Sequence, residues 1–206
     1  VKLWLWIRFF ILHLANWTRI IMSSELRVDR IIPTAGVPTG GGGSIIQMKQ
    51  ARKTDTQSTT STSPVDISGL SVTITPKFST SKLWITGMLA IGHEPDTCCN
   101  VFINANGTLI GGSNTANGGS QSSQPQDVHT GIGYNYVAAV EKYRVLTAAI
   151  DFLYSPNSTS AQTIKLQMSQ TDVSGETMFV NRSDSDNNAT WVNRQTSSLS
   201  VFEVSA

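Results

Sequence analysis

Charge is scarce in this 206-residue chain. Asp, Glu, Lys and Arg together make up 14% of it, against about 25% in ordinary soluble domains. The formal net charge is +1. No basic stripe and no Arg-aromatic platform is present, so the composition gives no support to nucleic-acid binding. Aromatic residues reach 8%. There are two cysteines, and they are adjacent, Cys98 and Cys99. Neighbouring cysteines rarely bridge each other because the geometry is strained, so a disulfide framework is excluded. The bland reading is two small apolar residues near the start of a strand. A bridge between chains and a metal site are the alternatives.

Catalytic signatures are also missing. No Gly-x-Ser-x-Gly elbow occurs, and a Ser-His-Asp set around His129 and Asp127 could be assembled from distant residues in any chain this rich in Ser. His93, Glu94, Asp96, Cys98 and Cys99 are the one cluster with ligand chemistry. Their spacing matches neither a zinc knuckle nor a metalloprotease helix, and Pro95 bars a regular helix. A solvated loop is the expectation. The sequence therefore predicts no enzyme, no metal and no cofactor.

What is abundant is Ser and Thr, roughly a quarter of the chain, followed by Asn, Gln and Gly. That composition suits strands and turns and suits helices badly. The exception is Val1 to Ile21, which is strongly apolar but interrupted by Lys2, Arg8, His13 and Arg19. The uninterrupted apolar runs fall well short of the about 20 residues a spanning helix needs. This argues against a membrane partner. Leu3, Ile7, Phe10, Leu14, Trp17 and Ile21 recur in steps of four and three, a heptad seam on one helical stripe. Trp4, Leu5, Phe9 and Leu12 lie off that stripe, so such a helix would be buried in something. Three readings stay open for residues 1–21: a buried anchor helix, an extension upstream of Met22, and a membrane-directed segment.

Residues 22–43 hold one strand-like run, Leu26 to Ile32, and end in a linker at Gly40 to Gly43. From residue 44 to 206, short alternating runs are punctuated by turn residues. Strands are expected at Ile45 to Lys49, Leu70 to Thr75, Leu83 to Ile91, Val145 to Tyr154, Ile164 to Ser169, Met178 to Val180, Ala189 to Val192 and Leu199 to Val204. Thr54 to Pro64 reads as a polar loop or an exposed strand, and Gly111 to Gln126 as a long loop. Gly131 to Val140 is another strand candidate. Asn106-Gly107 lies between apolar runs in Val101 to Ile110, which predicts a hairpin with a type I′ turn. Leu83, Ile85, Leu89 and Ile91 share one face of their strand, and Trp84, Thr86, Met88 and Ala90 the other. Such a strand meets a core on one side and a partner subunit on the other. The spacing predicts an all-β chain, an antiparallel β-sandwich or jelly roll.

Several stretches resemble a known family. Ser23 to Thr34 (SSELRVDRIIPT) looks like the opening of many tailed-bacteriophage tail-fibre and collar proteins. Ser68 to Leu89 (SGLSVTITPKFSTSKLWITGML) is similar to an element of phage fibre head domains: Thr-Pro, a polar turn, Ser-Lys, then an apolar strand. Asn104 to Gly112 and Ser198 to Val204 (SLSVFEV) match the same layout. The resemblance implies a homotrimeric jelly-roll tip on the virion. It would attach to other virion proteins through the N-terminal segment and bind a host-surface glycan or protein. A capsid or collar decoration protein of the same fold is the first alternative, and a secreted lectin-like domain the second.

Sugar recognition needs exposed rings beside amides and carboxylates. Trp191 with Asp184, Asp186, Asn187 and Asn188 fits that chemistry, and Tyr134 and Tyr136 are further candidates. The competing reading puts Trp191 in the core or at a trimer contact. Sequons at Asn106, Asn157, Asn181 and Asn188 are expected by chance in so Asn-, Ser- and Thr-rich a chain.

Overall fold

The structure is a computed structural model, and it describes residues 43–95, 97–112, 127–132, 141–170 and 175–205. Eleven strands and one short 3-10 turn occur among them. In chain order the strands are β1 (Ile45–Lys53), β2 (Gln57–Thr59), β3 (Val65–Ile74), β4 (Lys82–His93), β5 (Cys99–Ala105) and β6 (Thr108–Ile110). They continue with β7 (Thr130–Ile132), β8 (Leu146–Tyr154), β9 (Gln162–Gln170), β10 (Met178–Val180) and β11 (Ser197–Val204). All the pairings are antiparallel.

Six of the eleven strands share three lanes. β1 and β2 run head to tail along one lane, because β11 pairs with β1 while β10 pairs with β2. β10 and β11 share the next lane, both against the same side of β4. β6 and β7 likewise share one side of β5. Eight lanes result. One sheet runs β1/β2, β10/β11, β4, β8, and the other β3, β9, β5, β6/β7. Numbered by lane along the chain, the orders are 1-8-3-6 and 2-7-4-5, the connectivity of a jelly roll.

The core forms where alternation aims one face of each sheet inward. Leu83, Ile85, Leu89 and Ile91 of β4 are fully buried, opposite Leu70 and Ile74 of β3, Ile103 of β5 and Ile164 and Leu166 of β9 in one cluster. The Asn106-Gly107 turn closes the β5–β6 hairpin with φ of 51° and 93°, the two positive values that Asn and Gly accept most readily.

The structure extends several expected strands, shows the strand alternative within the polar stretch 54–64, and corrects one expected strand. β2 lies inside the polar stretch 54–64, where Gln57–Thr59 pairs with β10. Ala189 to Val192 is not a strand: Val192 N–H donates to Ala189 O at 3.1 Å, closing a turn. The apolar pair Trp191-Val192 imitates a strand, but no neighbouring lane offers it a partner. The anchor residues Leu3, Ile7, Phe10, Leu14, Trp17 and Ile21, the run Leu26 to Ile32, and Tyr134 and Tyr136 lie outside the described residues. Among the described residues no helix is long and apolar enough to cross a membrane.

Candidate functional site

The β10/β11 lane breaks in the middle of the sheet. Val180 pairs with Ile91, and β11 begins at Ser197, with Ser198 opposite Met88, so residues 181–196 leave the lane and return almost where they left it. Asn181 makes this neck. Its φ is +64°, in the left-handed region where Asn is enriched. Its backbone N–H donates to Ala90 O at 2.9 Å, and Gln195 N–H donates to Asn181 O at 3.0 Å. Its amide nitrogen donates to Lys53 O at 3.0 Å and to Asp55 O at 2.8 Å. Its amide oxygen accepts from Ser197 Oγ at 2.6 Å, and Ser197 Oγ accepts from Ala90 N–H at 3.0 Å. Lys53 to Asp55 is the point where the neighbouring lane breaks between β1 and β2. One fully buried side chain therefore stitches two adjacent interruptions together. The Lys53 ammonium, also buried, donates to Asp55 Oδ2 and Ser68 Oγ, each at 3.0 Å.

Beyond the neck the chain turns over the outer face of its own sheet. The Arg182 guanidinium lies 3.8 Å from the centre of the Phe179 ring, a cation–π contact. It also donates to Ser183 O at 3.1 Å and Asp184 O at 3.0 Å. Gly92 of β4 lies beneath: a Cβ there would stand 2.2 Å from Arg182 O. Ser185 N–H donates to Lys142 O at 2.8 Å, which fixes the loop to a second segment.

The acidic residues of the candidate site have separate tasks. Asp186 takes a two-pronged bond from Arg194, Nε at 3.0 Å and Nη2 at 2.7 Å, across the loop. Its hydrogen bond from Arg194 outweighs burial and holds its carboxyl below the ordinary range. Asp184 is half-buried. Burial, then the Glu94 carboxylate, push its pKa up, against the pull of Arg182, Lys142 and His93. Asn187 and Asn188 are exposed, and Trp191 is 63% exposed, the most of any large apolar side chain described. The core reading of Trp191 is thereby corrected. The loop thus presents a bare indole and two amides on a neck that is buried and fully hydrogen-bonded.

Glu94 Oε2 accepts from Thr177 N–H at 2.7 Å, and a His93 ring nitrogen lies 2.7 Å from Glu94 O. Cys99 opens β5 inside the core, where burial pushes its thiol up to about 12. Neither cysteine is in a disulfide. Among the described residues no group of three His, Cys, Asp or Glu could hold a metal ion. His129 has Nδ1 3.0 Å from Gly111 O, and its Nε2 accepts from Asp151 N–H at 3.3 Å. Both ring nitrogens are thus engaged in holding the β6/β7 lane to β8.

Sequence reasoning missed two features. Asn181 was visible as a sequon, while its role depends on partners 126 and 128 residues away. The outer face of the first sheet was visible at β4 alone. Register completes it as a row, Met48 opposite Phe202, Phe202 opposite Trp84, and Trp84 opposite Leu153.

No protein-family model matches the chain, and no curated protein matches it. Solved structures of infectious bursal disease virus do. Its VP2 subviral particle is 13% identical over 90% of this chain and 45% of that chain, with a TM-score of 0.38. Its T13 viral particle is 13% identical over 90% and 40%, with a TM-score of 0.39. Its Gx strain is 13% identical over 88% and 42%, with a TM-score of 0.37. The chain spans about two fifths of the length of these solved chains.

Proposed function

We propose that this chain is a non-catalytic structural subunit of a bacteriophage virion. In this reading it is a homotrimeric tail-fibre or tail-tip module that holds loop 181–196 toward the host surface. The observation that carries it is the construction of that loop. A strand lane is broken mid-sheet, its neck is buried and satisfied, and what it holds out is an unpaired indole with Asn187 and Asn188 beside it in the chain. Keeping a Trp in water is unfavourable for the free protein, so its exposure on a braced loop favours a partner. The family resemblance of residues 23–34, 68–89 and 198–204 supports the virion setting, and the jelly-roll connectivity agrees with it. The ligand class is a glycan or a protein patch that offers flat C–H surface to the ring and hydroxyl or amide groups to the two Asn side chains.

Adsorption competition tests this. Purified full-length chain added to host cells reduces phage adsorption, and Trp191→Ala abolishes that competition without changing the circular dichroism spectrum. Equal competition by the two proteins refutes the loop's role. A capsid or collar decoration protein is the second reading. It is favoured by the apolar outer face of the first sheet, and it is the one to adopt if the wild-type chain does not compete at all.

A further inference from the structure

The outer face of the first sheet is half covered. At its upper end, residues 182–183 lie over Gly92, Ala90 is fully buried, and Phe179 is 4% exposed. At the lower end nothing of this kind is described. There the row Met48, Phe202, Trp84 and Leu153 crosses all four lanes. Met48 is 45%, Trp84 39% and Leu153 50% exposed. The Phe202 and Trp84 rings are 5.3 Å apart. A groove of about 520 Å³ runs beside Trp84 and Leu153 and reaches Ile45 and Val204. Trp84 Nε1 donates to Asp151 Oδ1 at 2.6 Å, so the indole's polar atom is already satisfied. What the row leaves unburied is hydrocarbon, which a contact can cover without orphaning a donor.

The row has two unlike halves. On the β1 side lie Met48 and Phe202, with the Arg52 cation on the same face of β1 two alternations along. On the β8 side lie Trp84 and Leu153, with the Asp151 carboxylate one alternation along. Each half is apolar, and the two edge strands carry opposite charges on this face, Arg52 on β1 and Asp151 on β8, with Lys82 of β4 between them, one alternation from Trp84. The β8 half of one copy therefore suits the β1 half of another better than it suits itself. A contact between unlike patches is heterologous, and it closes into a ring when the rotation allows. Three sheets turned toward a common axis give each half one neighbour.

Resting on the self-association proposed above, we infer that this face is the interface with a second copy of this chain, β8 half against the next copy's β1 half, repeated around a threefold axis. Central apolar residues carry such contacts, and rim charges fix their register.

Native mass spectrometry and sedimentation of the full-length chain test it. The wild type has the mass of three chains. Leu153→Asp and Met48→Lys each raise the dissociation constant about a hundredfold, as loss of a central anchor does. Both side chains are exposed, so the subunit fold and its circular dichroism stay intact. The double variant L153D/M48K restores the trimer, because the introduced carboxylate of one copy faces the introduced ammonium of the next. A monomeric or dimeric wild type overturns the trimer and this interface together. A trimer that survives L153D overturns the surface and leaves the trimer standing. Loss in both single variants without rescue in the double overturns the head-to-tail geometry.

Discussion

Replacing Asn181 by Ala removes the stitch between two broken lanes. The amide gives two hydrogen bonds to the carbonyls of Lys53 and Asp55 and accepts one from Ser197 Oγ, all at a fully buried position. Leaving a buried polar partner unsatisfied costs about 1–3 kcal/mol. Ser197 Oγ still accepts from Ala90 N–H but its O–H loses its acceptor, so two carbonyls and one hydroxyl share the loss at about 1 kcal/mol each. Ala at a φ of +64° adds about 1 kcal/mol that Asn largely escapes. The expected loss is about 4 kcal/mol. With a urea m-value of about 2 kcal/mol/M, the midpoint falls by about 2 M. Protein concentration is held fixed, because association shifts apparent stability. Asn181→Gly relieves the backbone term alone and recovers about 1 kcal/mol of the loss. A shift below about 0.5 M for N181A, or cleavage of loop 181–196 by protease at the wild-type rate, refutes the neck as described.

Two further outcomes concern charge. Glu203 is fully buried and accepts from Gln47 Nε2 and Lys77 N–H, each at 2.6 Å. Burial alone would raise its carboxyl pKa, but these bonds outweigh it and hold the pKa below the ordinary range. A depressed folded pKa gives stability that is present above the unfolded carboxyl pKa and lost as pH falls through the folded one. Glu203→Gln therefore costs about 2 kcal/mol at pH 7 and flattens the acid limb of a melting-temperature profile; an unchanged acid limb counts against the assignment. Asp184 has the opposite sign, since its raised pKa makes its ionised form a burden on the fold at neutral pH. Asp184→Asn raises the melting temperature at pH 7, and the gain disappears once pH falls below the carboxyl range. A gain that persists in acid contradicts it.

The fold was legible wherever period-two alternation coincided with burial. β4 shows this best: Leu83, Ile85, Leu89 and Ile91 face the core, and the hairpin at Asn106-Gly107 needed only local turn chemistry. Lane sharing was not legible. β2 is three polar residues whose strand character comes entirely from pairing with Met178 to Val180, and no local pattern records a partner 119 or more positions away. Ala189 to Val192 failed for the converse reason, a locally apolar run that no lane receives. At the candidate site, Trp191, Asn187 and Asn188 could be named from residue chemistry. The division of labour between Asp184 and Asp186 could not, because it depends on Glu94, Lys142 and Arg194 meeting the loop in space. The apolar row likewise takes one member from each of four lanes, so its β4 residue alone gave no sign of its extent.

Labelling intact phage particles with an antibody raised against residues 181–196, followed by electron microscopy, tests the virion role and loop display together. If loop 181–196 is held outward from a virion subunit, the antibody decorates intact particles at symmetric positions, and Trp191→Ala particles are decorated equally while adsorbing less. Intact particles that stay bare, with label bound only after disruption, would place the loop inside and contradict its display.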